Sequence, residues 1–152
     1  MQYETYHFYD DGVEMMIPFD LKEQPSQFGV QNSFVSENRR VVLNVARGKD
    51  GMTQAQVELR MDAYYREFEQ DVPAFECLKR KKRQFLGESF ADLRYRSNMM
   101  GYQFYNAFLL GIYDSRELIV TMQSVGNEAA EIEHTFDMIA ESIRILKKEK
   151  SA

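Results

Sequence analysis

The segment from residue 85 to residue 146 constrains the fold of this chain more than any other stretch. Three apolar or alternating runs, 90–97, 102–113 and 118–125, are joined by short polar turns and lead directly into an amphipathic segment. Runs with such short connections pair as antiparallel strands. This half of the chain therefore predicts antiparallel strands followed by a packed helix.

The run 102–113 is apolar on both of its faces. Successive residues of a strand point to opposite faces, and large side chains occur on both of them here. One face carries Tyr102, Phe104, Phe108, Leu110 and Ile112, and the other carries Tyr105, Ala107 and Leu109. Such a strand belongs in the interior of a sheet that is covered on both sides, so we expect helices on both faces.

The segment after residue 126 has the periodicity of an amphipathic helix. Its apolar residues recur at intervals of four, three, four and three: Ile132, Phe136, Ile139, Ile143 and Leu146. The opposite face is charged: Glu131, Asp137, Glu141 and Arg144. Asn127 is the predicted N-cap. Lys147 and Lys148 lie near the C-terminus of this helix, where positive charges interact favourably with the helix dipole.

The first half of the chain predicts two hairpins. Runs 2–9 and 13–17 flank Asp10-Asp11-Gly12, whose glycine suits a tight turn. Runs 28–36 and 41–47 are separated by a polar tetrapeptide and form the second hairpin. The charged, proline-containing segment 20–27 between them is interpreted as a loop.

A helix over about 53–70 and a charged strand over 75–86 follow these hairpins. Thr53 and Gln56 have the spacing of a capping box at the start of the helix. Five consecutive basic residues, from Lys79 to Arg83, occupy the strand, and such charges are typical of a sheet edge. Gly87 and Glu88 then predict a turn. The order ββββαββββα indicates one α+β domain over residues 1–152, a mostly antiparallel β-sheet flanked by helices on both faces.

Composition narrows the classes of partner. The net charge of −5 repels nucleic acid and anionic membranes. Cys77 is the only cysteine, so the chain forms no internal disulfide and does not depend on an oxidising compartment. The first residues do not form a secretory signal, and no apolar run is long enough to span a membrane. If the chain is complete, these features predict that the protein is located in the cytoplasm.

We expect none of the motifs in this sequence to form a catalytic site, a metal site or a cofactor site. Gly87-Glu88-Ser89-Phe90-Ala91 resembles the Gly-x-Ser-x-Gly elbow of hydrolases, but its last glycine is alanine and it lies between strands. Glu131 and His134 have the spacing of a carboxylate metal motif, which needs a second copy on another helix. Cys77 fits a small buried residue better than a reactive thiol, although basic neighbours would activate it.

Two groups of residues are candidates for binding a protein partner. Met99, Met100 and Tyr102 lie at a predicted hairpin turn, where flexible methionines suit an adaptable contact surface, or else fold back over the sheet. Arg80 and Lys82 belong to the basic run, which either contacts an acidic partner or keeps an edge strand soluble.

The sequence resembles the PsbP-like, DcrB-like family, which includes type VI secretion effector-associated chaperones and a Ran-binding regulator. Five segments carry the resemblance: Met16-Ile17-Pro18, Phe85-Leu86-Gly87, Ala91-Asp92-Leu93-Arg94-Tyr95, Leu118-Ile119-Val120-Thr121, and Phe136-Asp137-Met138-Ile139-Ala140-Glu141-Ser142-Ile143. The resemblance implies an α/β/α sandwich that binds a protein without catalysis, and it transfers no catalytic residue. The envelope members carry a signal peptide and a lipidation cysteine, which this sequence lacks.

The leading hypothesis is therefore a non-enzymatic protein-binding module, an adaptor or chaperone-like protein. A second hypothesis is a small-ligand carrier or hydrolase with a pocket lined by Tyr64, Tyr65 and the aromatic strand. A third is a homodimer formed through a strand edge or through the methionine-bearing turn.

Overall fold

The computed structural model describes residues 2–25, 31–85, 88–126 and 129–146. The first half of the chain contains five strands: β1 Tyr3–Phe8, β2 Val13–Pro18, β3 Leu21–Gln24, β4 Gln31–Ser36 and β5 Val41–Asp50. A 3₁₀ turn over Gln54–Gln56 leads into helix α1, Val57–Asp71. The remaining elements are β6 Glu76–Phe85, β7 Glu88–Met99, β8 Tyr102–Tyr113, β9 Arg116–Val125, α2 Ala129–Ser142 and β10 Arg144–Ile145.

Seven of the strands form one antiparallel sheet in the order β3-β4-β5-β9-β8-β7-β6. The doubly apolar strand β8 lies in its interior, between β7 and β9, as the sequence predicted. The basic strand β6 is at one edge of this sheet, which confirms the interpretation of its charges as typical of an edge.

A smaller antiparallel sheet joins the two ends of the chain. Its order is β1-β2-β10, so β2 pairs with the N-terminal strand on one side and with the residues after α2 on the other. This small sheet and α2 together cover one face of the large sheet. Phe8, Val13, Met15 and Ile17 of the small sheet join a buried apolar cluster with α2 and the large sheet.

The opposite face of the large sheet is covered by α1. Val57 and Met61 of α1 pack on apolar residues of β7 and β8, including Leu93 and Phe108, in a second buried cluster. Helices therefore lie on both faces of a mostly antiparallel sheet, and the α+β sandwich predicted from the sequence is confirmed.

Three parts of the sequence prediction are wrong. Residues 21–24, interpreted as part of a loop, form β3 and pair with β4, because Leu21 is buried while the rest of this short edge strand is polar. The last helix ends at Ser142 and does not reach Leu146, since residues 144–145 pair with β2 as β10. Glu88, expected in a turn, begins β7. Gly87, Asn127, Lys147 and Lys148 lie outside the described residues.

Helix α1 covers only part of its face of the sheet, because it packs mainly on β7 and β8. On the same face, Val35 of β4 and Val42 of β5 are adjacent partners in the ladder and remain half-buried. Thr121 of β9 is also half-buried. The fold thus leaves an open area beside α1, and this area borders the turn between β7 and β8.

Candidate functional site

The turn between β7 and β8 exposes three large side chains. Met99 and Tyr102 pair across the end of the hairpin, and Met100 and Gly101 form its two-residue loop with φ angles of 53° and 84°. Positive φ at both positions gives a tight turn that matches the strand twist. Met99 is 54% exposed, Met100 91% and Tyr102 63%, so these side chains project from the sheet and do not fold back over it.

A groove lies beside this hairpin tip, where the end of α1 meets the sheet. We call it the tip groove, and its volume is about 290 Å³. It is lined by Asp71, Val72, Pro73, Tyr95, Ser97, Asn98, Met99, Phe104, Asn106 and Gln123. The backbone N–H of Asn98 donates to the carbonyl of Pro73 at 3.1 Å, which ties the segment after α1 to the hairpin.

Polar side chains on three adjacent strands form the floor of the tip groove. Asn106 Nδ2 donates to Ser97 Oγ at 3.0 Å, and Gln123 Nε2 donates to Asn106 Oδ1 at 2.9 Å. Gln123 is exposed. Asn106 is buried and also donates to the Tyr95 carbonyl, so in this floor it is the exposed Gln123 amide that can bond to the backbone of a bound polypeptide.

The aromatic residues of α1 fill the space below the helix. Tyr64 packs on Phe108 at a centroid distance of 5.1 Å, and Phe68 packs on Tyr95 at 5.4 Å. Tyr65 makes an edge-to-face contact with Phe75 at 5.3 Å. These rings contact one another as a packed cluster, and Tyr64 and Tyr65 are half-buried against the core under α1.

A buried carboxylate, Glu117 of β9, joins α1 to the sheet. Glu117 Oε1 accepts hydrogen bonds from the Tyr64 hydroxyl at 2.8 Å and the Lys49 backbone N–H at 2.7 Å. Its Oε2 accepts from Arg60 Nε at 3.0 Å. Burial and the bond to Glu117 raise the pKa of Tyr64. Glu117 was not predictable as a buried residue, because residues 114–117 together have the composition of an exposed turn.

A second buried ionic cluster lies under α2. Arg94 and Asp92 of β7 are fully buried and form a bidentate pair at 2.8 and 3.0 Å. Arg94 also donates to Asp137 of α2 at 2.7 Å and lies over the Phe136 ring at 4.7 Å. Burial alone would lower the pKa of Arg94, but its bonds to Asp92, Tyr105 and Asp137 raise it, so the cation persists inside the fold.

The basic run on β6 is divided between the two helices. Arg80 forms ion pairs with Glu58 and Asp62 of α1 at 3.3 and 2.5 Å. Arg83 pairs with Asp92 at 2.6 Å, and Lys79 pairs with Glu133 of α2. Alternation along the strand explains this division.

The two groups of predicted partner-binding residues are not brought together. Arg80 lies beside the first half of α1, whereas the hairpin tip lies beside its end. Lys82 is exposed and lines a separate cavity of about 500 Å³ with Gln54 and Ser89.

The structure also gives the positions of the serine, the histidine and the cysteine that the other sequence motifs contain. Ser89 lies inside strand β7, and its backbone N–H donates to Gln54 Oε1 at 2.9 Å, so it does not occupy a strand-to-helix elbow. His134 is exposed on α2, and the described ranges contain no group of three or more residues suited to holding a metal ion. Cys77 is exposed, so the expectation that it is buried is wrong.

Solved structures from several organisms are similar to this one, and three of them illustrate the likeness. Cyanobacterial PsbP (CyanoP) from Synechocystis matches with a TM-score of 0.72 at 16% identity, over 95% of this chain and 92% of that chain. The Ran-binding protein Mog1p of Saccharomyces cerevisiae matches with a TM-score of 0.63 at 7% identity, over 95% and 96%. LpqN of Mycobacterium tuberculosis, involved in cell envelope biogenesis, matches at 0.63 and 14%, over 93% and 89%. This chain has the PsbP/Mog1 fold.

The PsbP/Mog1 fold is the one that the sequence resemblance implied, and that prediction is confirmed. At these identities the likeness shows the fold alone. No family model matches the sequence, and no curated protein matches it. Neither described helix of this PsbP/Mog1 fold is long and apolar enough to cross a membrane.

Proposed function

We propose that this chain is a non-enzymatic protein-binding module, an adaptor or chaperone-like protein, which binds a polypeptide at the hairpin tip and tip groove. The exposure of Met99, Met100 and Tyr102 carries the proposal. Unbranched methionine side chains adapt to different apolar surfaces, and clustered exposed apolar residues are a common mark of interaction sites.

The setting of these residues suits binding. The tip closes the hairpin of β7 and β8, whose ladder runs up to the Met99–Tyr102 pair, and the Asn98 N–H donates to the Pro73 carbonyl. Such bonds limit the conformations of the tip backbone, which lowers the entropy lost on association. The exposed amide of Gln123, which Asn106 positions through a hydrogen bond, supplies a polar contact next to the apolar ones.

Two further observations support a binding role without catalysis. The buried carboxylates Asp92 and Glu117 are each held by arginine inside the fold, which favours a structural role for both. Mog1p, which shares the fold, is described as a Ran-binding protein. The cytoplasmic location stays a prediction from the sequence.

Capture from a lysate of the native organism tests the proposed function. Tagged wild-type protein is compared with a Met99→Ser, Met100→Ser variant and with a Leu59→Ser, Met138→Ser control, whose residues are exposed apolar side chains elsewhere on the surface. We expect a polypeptide that binds the wild type and the control but not the tip variant. A photo-crosslinker at Tyr102 should then label that same polypeptide.

Other outcomes contradict the proposal. Equal capture by all three proteins would place binding away from the tip, and capture of nothing would argue against a protein partner. Crosslinking of Tyr102 only to a second copy of this chain would favour the homodimer.

A further inference from the structure

The last two turns of α1 carry an excess of negative charge. Residues 64–72 contain three acids, Glu67, Glu69 and Asp71, and one base, Arg66. All four side chains are exposed. The last turn of α1 contains no basic residue, although the C-terminus of a helix carries a partial negative charge that favours cations.

These acids differ from those in the first half of the same helix. Glu58 and Asp62 are both paired with Arg80 of β6. Among the residues that the structure describes, Glu67, Glu69 and Asp71 form no ion pair. The sheet therefore supplies a cation for one half of α1 and leaves the negative field of the other half unbalanced.

This unbalanced charge lies at the wall of the tip groove. Asp71 lines the groove, and Glu67, four residues earlier, lies on the same side of the helix. Met99 and Phe104 line the groove from the sheet. The α1 side of the groove thus carries the Asp71 carboxylate with Glu67 beside it, and the sheet side carries the apolar Met99 and Phe104.

We propose that the tip groove binds a basic, amphipathic segment of a polypeptide, an inference that rests on the proposed function and specifies its partner. Lysine or arginine side chains of the segment lie against the C-terminal end of α1. Its apolar side chains pack on Met99, Tyr102 and Phe104. An acidic segment of the same apolar pattern is repelled by Glu67 and Asp71 on the groove side of the helix, with Glu69 adding to the negative field from its other side.

Defined peptides test this proposal on the full chain. The probes are a fluorescent amphipathic peptide of leucine and lysine and its counterpart of leucine and glutamate, with binding measured by fluorescence anisotropy. The test variant is Glu67→Gln, Glu69→Gln, Asp71→Asn. The control, Asp20→Asn, Glu23→Gln, Glu131→Gln, neutralises three exposed acids elsewhere and so changes the net charge equally.

We expect the wild type and the control to bind the lysine peptide and the test variant to bind it about tenfold more weakly, with an affinity that falls as salt is added. The glutamate peptide should not bind. The Met99→Ser, Met100→Ser variant should also lose the lysine peptide, because the site needs both walls.

Each contrary result has a separate meaning. Equal weakening by the test and control variants would show attraction to net charge alone and overturn the proposal, as would binding of both peptides with similar affinity. Self-association that depends on Met100 would show that the groove binds a second copy of this chain, and it would overturn the proposal of a basic partner segment. If the lysine peptide fails to bind while lysate capture still depends on Met99 and Met100, the partner chemistry is wrong and the proposed function stands.

Discussion

At the scale of single residues, the fold buries charge where α2 meets the sheet. Arg94 is inaccessible to solvent and is shared between Asp92 of its own strand and Asp137 of α2. Removing one member of such a cluster leaves an uncompensated charge, which costs about 3–5 kcal/mol in comparable buried pairs. The cluster therefore stabilises one docking position of α2.

Asp137 should make the stability of the protein depend on pH in the acid range. Its partial burial opposes ionisation, but the hydrogen bond from Arg94 and the positive charges of Arg94, Arg83 and Lys79 outweigh that effect and lower its pKa. In an unfolded chain an aspartate has a pKa of about 3.9. The contribution of Asp137 is therefore present above about pH 4 and is lost as the pH falls through the lowered folded-state pKa.

Urea unfolding of the wild type and Asp137→Asn across this range measures the effect. We expect the wild type to be more stable at neutral pH and the difference to shrink below about pH 4. Asp62→Asn, which removes an exposed pair with Arg80, should show a smaller difference at neutral pH. A wild-type advantage over Asp137→Asn that stays constant in acid would contradict this account.

At the scale of elements, an irregularity in β5 depends on a side chain from the neighbouring strand. The register between β5 and β9 shifts between Arg47 and Asp50. Within the shift, a Cβ atom on Gly48 would lie 2.6 Å from Glu117 Oε1, so glycine is needed for the close approach. The same carboxylate accepts from the Lys49 N–H and from Tyr64, which connects the bulge to α1.

Glu117→Ala should loosen both the bulge and α1. Because it leaves the Lys49 N–H and the Tyr64 hydroxyl without their acceptor, we expect a loss of about 3 kcal/mol in the free energy of unfolding. Amide exchange at Lys49 should also become faster than in the wild type. Glu14→Ala removes a half-buried carboxylate paired with the exposed His7 and serves as the control, with a smaller change expected. Unchanged exchange at Lys49 would show that the bulge does not depend on Glu117.

Helix lengths illustrate the limit of prediction at this scale. The spacing of apolar residues correctly predicted α2, but it continues through Ile143 and Leu146 while the helix ends at Ser142. Ser142 Oγ donates to the carbonyl of Ile139 and accepts from the N–H of Met16. The end of the helix is thus hydrogen-bonded to β2, which is distant in the chain. Local periodicity carries no information about such a contact.

At the scale of the whole molecule, the last described residues connect the two ends of the chain. Ile145 pairs with Val13, and the N–H of Leu146 donates to the carbonyl of Gly12 at 2.8 Å. Ile145 also packs on the core cluster under α2. The small sheet therefore requires both the hairpin of β1 and β2 and the residues that follow α2.

A chain that ends after Ile143 should be less stable by about 2 kcal/mol, because it loses the bonds of β10 and the half-buried Ile145. Urea unfolding measures the loss, and amide exchange at Val13 should become faster. A chain that ends after Leu146 keeps β10 and is the control. Equal stability of the two truncated chains would show that β10 contributes nothing.

The candidate site was predictable only in part. Turn residues and strand patterns are local signals, so they placed Met99 and Met100 at a hairpin turn, either as a contact surface or folded back over the sheet, and only the structure shows them exposed. The basic run made Arg80 and Lys82 candidates for contact with an acidic partner or for a soluble sheet edge, and the structure places β6 at an edge and pairs Arg80 with α1. The tip groove depends on the end of α1 meeting β7, which residue spacing does not reveal.

The sequence by itself determined the type and antiparallel order of most elements, because strand and helix periodicities and short turns act over a few residues. It also determined the interior position of β8, whose two apolar faces both require cover. Only the tertiary structure decided which charges are buried, where α2 ends and that β10 closes a separate sheet. Those features arise from contacts between residues far apart in the chain, where burial and pairing override local pattern.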